Sequence, residues 1–121
     1  MVSGIKRHSG LFMIITGWIH TILGFIVFYE IIMDMIGAGL FNSINMQYDR
    51  NSMFWFIFTG WLLILTGHLI NWLIKQKNIL LPSWFGWYLL LFSVIGIIVM
   101  PLSGFWLVVP QAWILIVAAQ K

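Results

Sequence analysis

Long apolar stretches alternate with short polar segments along this chain. Apolar residues dominate four runs, at about residues 11–33, 52–74, 82–100 and 105–119. A helix needs about 20 apolar residues to cross the hydrocarbon core of a bilayer, and the first two runs reach that length. The pattern therefore predicts four membrane-spanning helices in a single transmembrane domain over residues 1–121.

The polar segments define the connections between these spans. The longest covers residues 34–51, where polar side chains are interleaved with Leu40, Phe41, Ile44 and Met46. That mixture predicts an outer loop, or a short helix, that lies in the membrane interface. The third and fourth runs are short, so an alternative is that they form a re-entrant hairpin.

Composition and charge support a membrane protein. The chain is 62% hydrophobic and 7% charged, whereas a soluble domain carries about 25% charged residues. Basic residues at span ends, with no stripe that could follow phosphates, exclude a nucleic-acid-binding protein. By the positive-inside rule both termini are predicted to be cytoplasmic, because one side would hold all but one of the basic residues. These residues are Lys6, Arg7, Lys75, Lys77 and Lys121, with Arg50 on the other side.

Small residues recur every seven positions in three of the runs. They are Gly10, Gly17 and Gly24, then Gly60 and Gly67, then Gly86 and Ser93. In lipid, helices pack through close backbone approach at such residues, and a seven-residue period keeps them on one side of a left-handed supercoil. The predicted fold class is therefore all-α integral membrane, a four-helix transmembrane bundle.

The eight tryptophans fall into groups by predicted depth. Trp72, Trp84 and Trp87 belong to an inner aromatic belt, and Trp55 and Trp106 to an outer one. Three others lie deeper and are predicted to pack between helices or against a ligand: Trp18, Trp61 and Trp113.

Several short motifs resemble a family of small bacterial integral membrane proteins that is catalogued only as a domain of unknown function. The matching residues are Gly17, His20 and Gly24; Asp49-Arg50 before Phe54-Trp55-Phe56; Pro101 with Ser103-Gly104-Phe105-Trp106; and Pro110. The resemblance implies a four-span fold and brings no activity, substrate or cofactor.

Two histidines lie within the apolar runs, where an ionisable group is a functional hypothesis. His20 shares a helix face with Thr16 and the glycine seam, so it either donates a hydrogen bond to another span or binds a ligand. His68 is predicted at a similar depth on the antiparallel span, an arrangement that could hold haem between two histidines. Asn71, one turn later, could instead hold His68 as a hydrogen-bond partner.

A second polar group is predicted at the outer end of the first two spans. Glu30 and Asp34 lie one turn apart, and Asp49 with Arg50 opens the second span. These residues form either an ion pair that fixes the loop or an outward-facing pocket for a ligand. Asp49 could also cap the second span.

Pro110 interrupts the fourth run and removes one backbone donor. The carbonyl that it frees needs a partner in lipid, and Gln111 is predicted to supply one. Broken helices also line transport sites, so a role in a pathway is the alternative.

No catalytic, phosphate-binding or zinc-binding motif is present, so no catalytic or metal residue is assigned, and an enzyme is the less favoured class. The leading hypothesis is a non-catalytic module that binds a quinone, a lipid or a similar hydrophobic molecule, with His20 as polar contact and Trp18 and Trp61 as walls. The alternatives are a bis-histidine haem protein, a transporter or channel, and an accessory subunit, acting as a homo-oligomer or with a partner membrane subunit.

Overall fold

The structure is a computed structural model that describes residues 4–118. A short 3₁₀ helix, Gly4–His8, leads into five α-helices. They are α1 (Ser9–Val27), α2 (Tyr29–Gly37), α3 (Tyr48–Gln76), α4 (Ser83–Val99) and α5 (Phe105–Ala118). The predicted all-helical fold is confirmed over these residues. The predicted end of the fourth run at Ala119, and Lys121, lie outside the described residues.

The first apolar run differs from its prediction, because two helices replace one. The helix ends at Val27 and resumes at Tyr29, and the intervening Phe28 has φ −100° and ψ 17°. Backbone hydrogen bonds continue across the break, from Phe28 N–H to Gly24 O at 3.0 Å and from Ile32 N–H to Phe28 O at 2.9 Å. The break is therefore a local change of direction with the helical ladder nearly intact.

The connection between α2 and α3, which the sequence predicts as an outer loop, is shorter than predicted. Helix α2 continues to Gly37 and α3 begins at Tyr48, so the loop covers residues 38–47 instead of 34–51. Gly39 turns the chain with φ +90°, and Leu40 and Met46 also have positive φ, 61° each. Such angles are costly for residues with a branched or bulky side chain, so this loop needs contacts that hold it.

The helices form two antiparallel pairs. Helix α1 packs along α3 and α4 packs along α5, while α5 joins the pairs by contacting α1. Close backbone packing between α3 and α4 is absent among the described residues. A buried core of Met13, Ile70, Ile74, Leu81 and Leu115 lies where α1, α3 and α5 meet.

The predicted glycine seam is confirmed, because the seam residues are where the paired helices come closest. A Cβ atom at Gly17 would lie 2.8 Å from the backbone nitrogen of Ile64, and one at Gly67 would lie 2.7 Å from that of Ile14. In the other pair, a Cβ at Gly86 would lie 2.8 Å from the nitrogen of Ile116. Small residues thus set the distance between the helix axes.

Candidate functional site

His20 makes an interhelical hydrogen bond, which is one of the two roles that the sequence allows for it. Its Nε2 lies 2.9 Å from the backbone oxygen of Phe56 on α3. A carbonyl only accepts, so Nε2 carries the hydrogen and donates. The imidazole also stacks on the Phe56 ring, with centroids 3.9 Å apart and planes 14° apart. These contacts tie α1 to α3 near the middle of the pair.

The two histidines do not lie at the same depth, so that prediction is wrong. His20 lies beside Gly60, whereas His68 follows Gly67 and is exposed on the surface. Eight positions separate Gly60 from His68, which is about 12 Å along the helix axis. Charged residues at the span ends locate a histidine along its helix only approximately. The glycine seam sets the actual register of α1 against α3 and places Asn71 beside Gly10. The geometry therefore does not bring the two histidines around one haem iron.

Asn71 does not hold His68 as predicted. No hydrogen bond joins the two side chains among the described residues, and Asn71 lies instead against Gly10 of α1. Its Oδ1 is buried and has no partner in the part of the chain that the structure describes. Asn71 belongs to the contact between α1 and α3.

The predicted aromatic walls do not surround His20. Trp18 and His20 are two positions apart on α1, so their side chains point about 200° apart. The deeper tryptophans do not pack between helices, since Trp18, Trp61 and Trp113 are 53%, 57% and 58% exposed. Their apolar rings face outward, toward whatever surrounds the protein.

Gln111 and Thr16, two predicted site residues from distant parts of the chain, meet between α5 and α1. Gln111 is only 6% exposed, and its Nε2 donates to Thr16 Oγ1 and, at 3.1 Å, to the backbone oxygen of Leu107. Thr16 Oγ1 in turn donates to the oxygen of Phe12 at 2.9 Å. Every amide and hydroxyl hydrogen of this pair is used, and Gln111 Oε1 has no partner among the described residues.

The partner of Gln111 differs from the prediction by one residue. Pro110 lies inside α5, and its missing N–H would have bonded to the carbonyl of Trp106, four residues earlier. The Gln111 amide reaches the carbonyl of Leu107 instead. The reason is geometric: a side chain that folds back along a helix meets the carbonyl four residues before its own position.

A groove of about 340 Å³ runs between α1 and α5 on the side of the protein, and this pair forms part of its wall. Its lining is apolar except for Thr16 and Gln111. The remaining residues are Ile5, Phe12, Ile15, Ile19, Leu107, Pro110 and Ile114. An apolar groove with one or two fixed polar groups is the usual form of a site for a hydrophobic small molecule.

Arg50 forms an ion pair where α2 and α3 approach the loop, which is one of the two arrangements that the sequence predicts. Its guanidinium donates to Asp34 Oδ2 on α2 and to the backbone oxygen of Ser43 in the loop. We call Arg50, Asp34 and Ser43 the Arg50 clamp. The Arg50 side chain is 11% exposed and that of Asp34 is 68% exposed. The clamp therefore connects α2, the loop and α3 through one mostly buried cation.

The other two acidic residues, Asp49 and Glu30, do not belong to the Arg50 clamp. Asp49 lies in the first turn of α3, after the N-cap residue Gln47, and its carboxylate accepts from the backbone N–H of Arg50 at 2.8 Å. A negative charge there also interacts favourably with the helix dipole. Glu30 is exposed on α2 and does not join the clamp.

Two residues that matter were missed by sequence reasoning. Phe56 and Ser43 both act through backbone oxygens, which every residue carries. No side-chain pattern could have marked Ser43. For Phe56, the only available signal was its place one turn before Gly60 of the seam.

These features define a small all-helical protein with a polar pair in the wall of a lateral groove and a buried arginine at one end. Two of its helical segments, Gly4–Val27 and Tyr48–Gln76, are long and apolar enough to cross a membrane. The chain belongs to the family of unknown function DUF6463, which matches residues 4–121. This confirms membership of an uncharacterised family. No curated protein and no solved structure matches the chain.

Proposed function

We propose that this is a multi-pass protein of the cell membrane, with four crossing segments and both termini in the cytoplasm. Burial supports the first part of the proposal. The two long helical segments have 24 and 29 residues, and only 28% and 22% of their most apolar windows are buried inside the protein. A core helix of a soluble protein would bury most of that surface, whereas a bilayer covers it without cost.

The lengths of α4 and α5 fit a hairpin that reaches across most of a bilayer. They have 17 and 14 residues, or about 25 and 21 Å at 1.5 Å per residue. With the turn between them they approach the hydrocarbon thickness of about 30 Å. The distribution of lysine and arginine along the chain then favours an inner position for the α3–α4 turn and both termini.

The groove between α1 and α5 is the proposed binding site, and its ligand is an uncharged hydrophobic small molecule. One observation carries the proposal: the buried Gln111 and the partly buried Thr16 line an otherwise apolar groove and leave a single acceptor, Gln111 Oε1, unpaired. Buried polar atoms are normally paired. A ligand hydroxyl that donates to this oxygen, after a small rotation of the amide, would complete the set. The protein is proposed as a binding module and not as an enzyme.

Replacing Gln111 by leucine is expected to weaken ligand binding in the groove while leaving the fold intact. The leucine is similar in size. It removes two hydrogen bonds that the amide donates, to Thr16 and to Leu107, but it also removes a buried oxygen that has no partner, so the two effects on the free energy of unfolding largely offset each other. The loss of one hydrogen bond to the ligand costs about 1.4 kcal/mol, which is a tenfold loss of affinity. Solvent extraction of the purified protein, followed by mass spectrometry, measures what the wild type and the variant carry.

The matched control is Gln76→Leu, the same change at an exposed position at the end of α3. We expect the wild type and Gln76→Leu to release close to one equivalent of a hydrophobic compound, and Gln111→Leu to release about half as much, because a site that is about nine-tenths occupied falls to about one half when its Kd rises tenfold. Equal amounts from all three proteins, or an empty wild type, would contradict the proposal.

A further inference from the structure

A second groove, of about 430 Å³, lies between the α1–α2 segment and α3. It is separate from the groove between α1 and α5, and no polar residue lines it. The lining residues are Phe25, Ile32, Met35, Leu40, Met53, Phe54, Ile57, Phe58 and Trp61. Its size and apolar surface suit a hydrocarbon chain.

The groove runs toward the Arg50 clamp, which comes next along α3 but does not itself line the groove. Its α3 residues recur at helical spacing, and Arg50 precedes Met53 by three positions and Phe54 by four, so it continues the same stripe. From the other side, Leu40 lines the groove and its oxygen accepts from the Ser43 N–H at 3.1 Å. The clamp therefore lies at the outer end of the groove, where α2, the loop and α3 converge.

The clamp holds two polar groups that the chain itself does not pair. Arg50 Nε and Ser43 Oγ are both buried and have no hydrogen-bond partner among the described residues, and Ser43 is only 6% exposed. The two residues are in direct contact through the guanidinium. Unpaired buried donors are rare in proteins, and one carbonyl oxygen can accept two hydrogen bonds. These two donors suit a carbonyl acceptor supplied from outside the chain. Because neither atom is exposed in this structure, the loop must shift slightly to admit that acceptor.

The charges around the clamp select an uncharged acceptor. Asp34 already neutralises Arg50, and the other two acidic residues of the chain, Glu30 and Asp49, lie on the same two helices. An anionic head group would meet a net negative surrounding. An ester carbonyl adds no charge.

We propose that the groove and the Arg50 clamp together bind a glycerolipid of the outer leaflet. One acyl chain lies in the groove, and its ester carbonyl accepts from Arg50 Nε and the Ser43 hydroxyl. The site rests on the membrane placement proposed above, because the clamp then lies at the depth where lipid esters occur. It is independent of any ligand between α1 and α5.

The test compares two lipids that differ only in the carbonyl. Delipidated protein in detergent is mixed with equal amounts of dioleoyl phosphatidylcholine and its diether analogue, and native mass spectrometry measures which lipid remains bound. We expect the wild type to retain the diester about tenfold more than the diether. Ser43→Ala should lower that preference at least threefold. This variant removes an unpaired hydroxyl, so its thermal stability in detergent should equal or exceed that of the wild type.

Two further variants distinguish binding of the acyl chain in this groove from binding of the ester carbonyl at the Arg50 clamp. Ile32→Trp fills the groove and should lower retention of both lipids, whereas Gln111→Leu, in the other groove, should change neither. Equal retention of diester and diether by the wild type, or an undiminished preference in Ser43→Ala, would overturn the proposal. So would a dimer mass that Ile32→Trp abolishes without loss of lipid, since a second copy would then occupy the groove. The extraction experiment on Gln111→Leu tests only the groove between α1 and α5, so either proposed site can be contradicted without contradicting the other.

Discussion

Replacing Gly17 by valine is expected to separate α1 from α3 and to lower the free energy of unfolding by about 3 kcal/mol, the upper part of the range for overpacking. A Cβ at this position would lie 2.7 Å from Ile64 Cγ1, 2.8 Å from the Ile64 nitrogen and 3.0 Å from the Gly60 oxygen. Two of these atoms belong to the backbone of α3, so they move only if the helices move apart. Denaturant titration in detergent, followed by circular dichroism, measures the change.

Gly37→Ala provides the control for this prediction. Gly37 is the last residue of α2, and a Cβ there meets no atom within 4 Å. Alanine also favours the helix over glycine, by up to about 1 kcal/mol in a helix interior and less at an end. We expect Gly37→Ala to equal or exceed the wild type in stability. If both variants lost the same stability, the seam would not be what holds α1 against α3.

Replacing Arg50 by leucine is expected to release the loop between α2 and α3. The variant loses the charge-assisted hydrogen bonds to Asp34 and to the Ser43 oxygen. Hydrogen bonds of a charged group contribute about 2 kcal/mol, and a leucine side chain has no donor that could replace them. The loop holds Leu40 and Met46 at positive φ, a conformation that persists only when contacts enforce it. Local opening should therefore increase about thirtyfold, a factor that corresponds to about 2 kcal/mol.

Amide hydrogen exchange measures this opening directly. The relevant amides are those of Ser43, bonded to Leu40 O at 3.1 Å, and Gln47, bonded to Ile44 O at 2.8 Å. The matched variant is Asp34→Asn, which removes only the exposed side of the clamp. Because Asp34 is 68% exposed, solvent screens that ion pair and its loss should cost at most about 1 kcal/mol. An equal effect of the two substitutions would show that the exposed ion pair, and not the buried guanidinium, holds the loop.

The packing of the helices was predictable from the sequence because close approach admits only small residues. Small residues had to recur on one face of each helix if the backbones were to touch, and a seven-residue period reveals those faces: Gly10, Gly17 and Gly24 on α1, and Gly60 and Gly67 on α3. The Arg50–Asp34 pair was predictable for a similar reason. In an almost uncharged chain, opposite charges on either side of one connection have few other partners.

The register between the helices was not predictable from the ends of the apolar runs. Charged residues mark where a helix leaves the membrane only to within a turn or two, and an error of that size moved His68 away from the level of His20. The break at Phe28 carries neither proline nor glycine, the usual causes of a kink, so no local signal announced it. The bond from Gln111 to Leu107 O instead of Trp106 O depends on a side-chain direction that spacing alone does not fix.

The groove between α1 and α5 was predictable only in part, because the sequence indicated its polar residues but not their pairing. Thr16 and Gln111 were both selected as polar residues in apolar runs, on separate grounds. Nothing in the sequence paired them, because they are brought together only by the contact between the two helix pairs. Polar residues inside apolar segments were thus a sound guide to position, and a poor guide to partners.

The most direct test of the account is the membrane topology, on which both proposed sites depend. The chain has no cysteine, so single cysteines can be placed without any background labelling. Suitable positions are Asn42 in the α2–α3 loop, Gln76 at the end of α3 and the fully exposed Leu102 in the α4–α5 turn. Intact cells are treated with a membrane-impermeant maleimide, and permeabilised cells serve as the reference.

We predict that Asn42→Cys and Leu102→Cys react in intact cells and that Gln76→Cys reacts only after permeabilisation. Labelling of Asn42→Cys and Gln76→Cys from the same side would contradict the crossing of α3, and with it the proposed membrane protein. Protection of Leu102→Cys alone would contradict four complete crossings and indicate that α4 and α5 form a re-entrant hairpin.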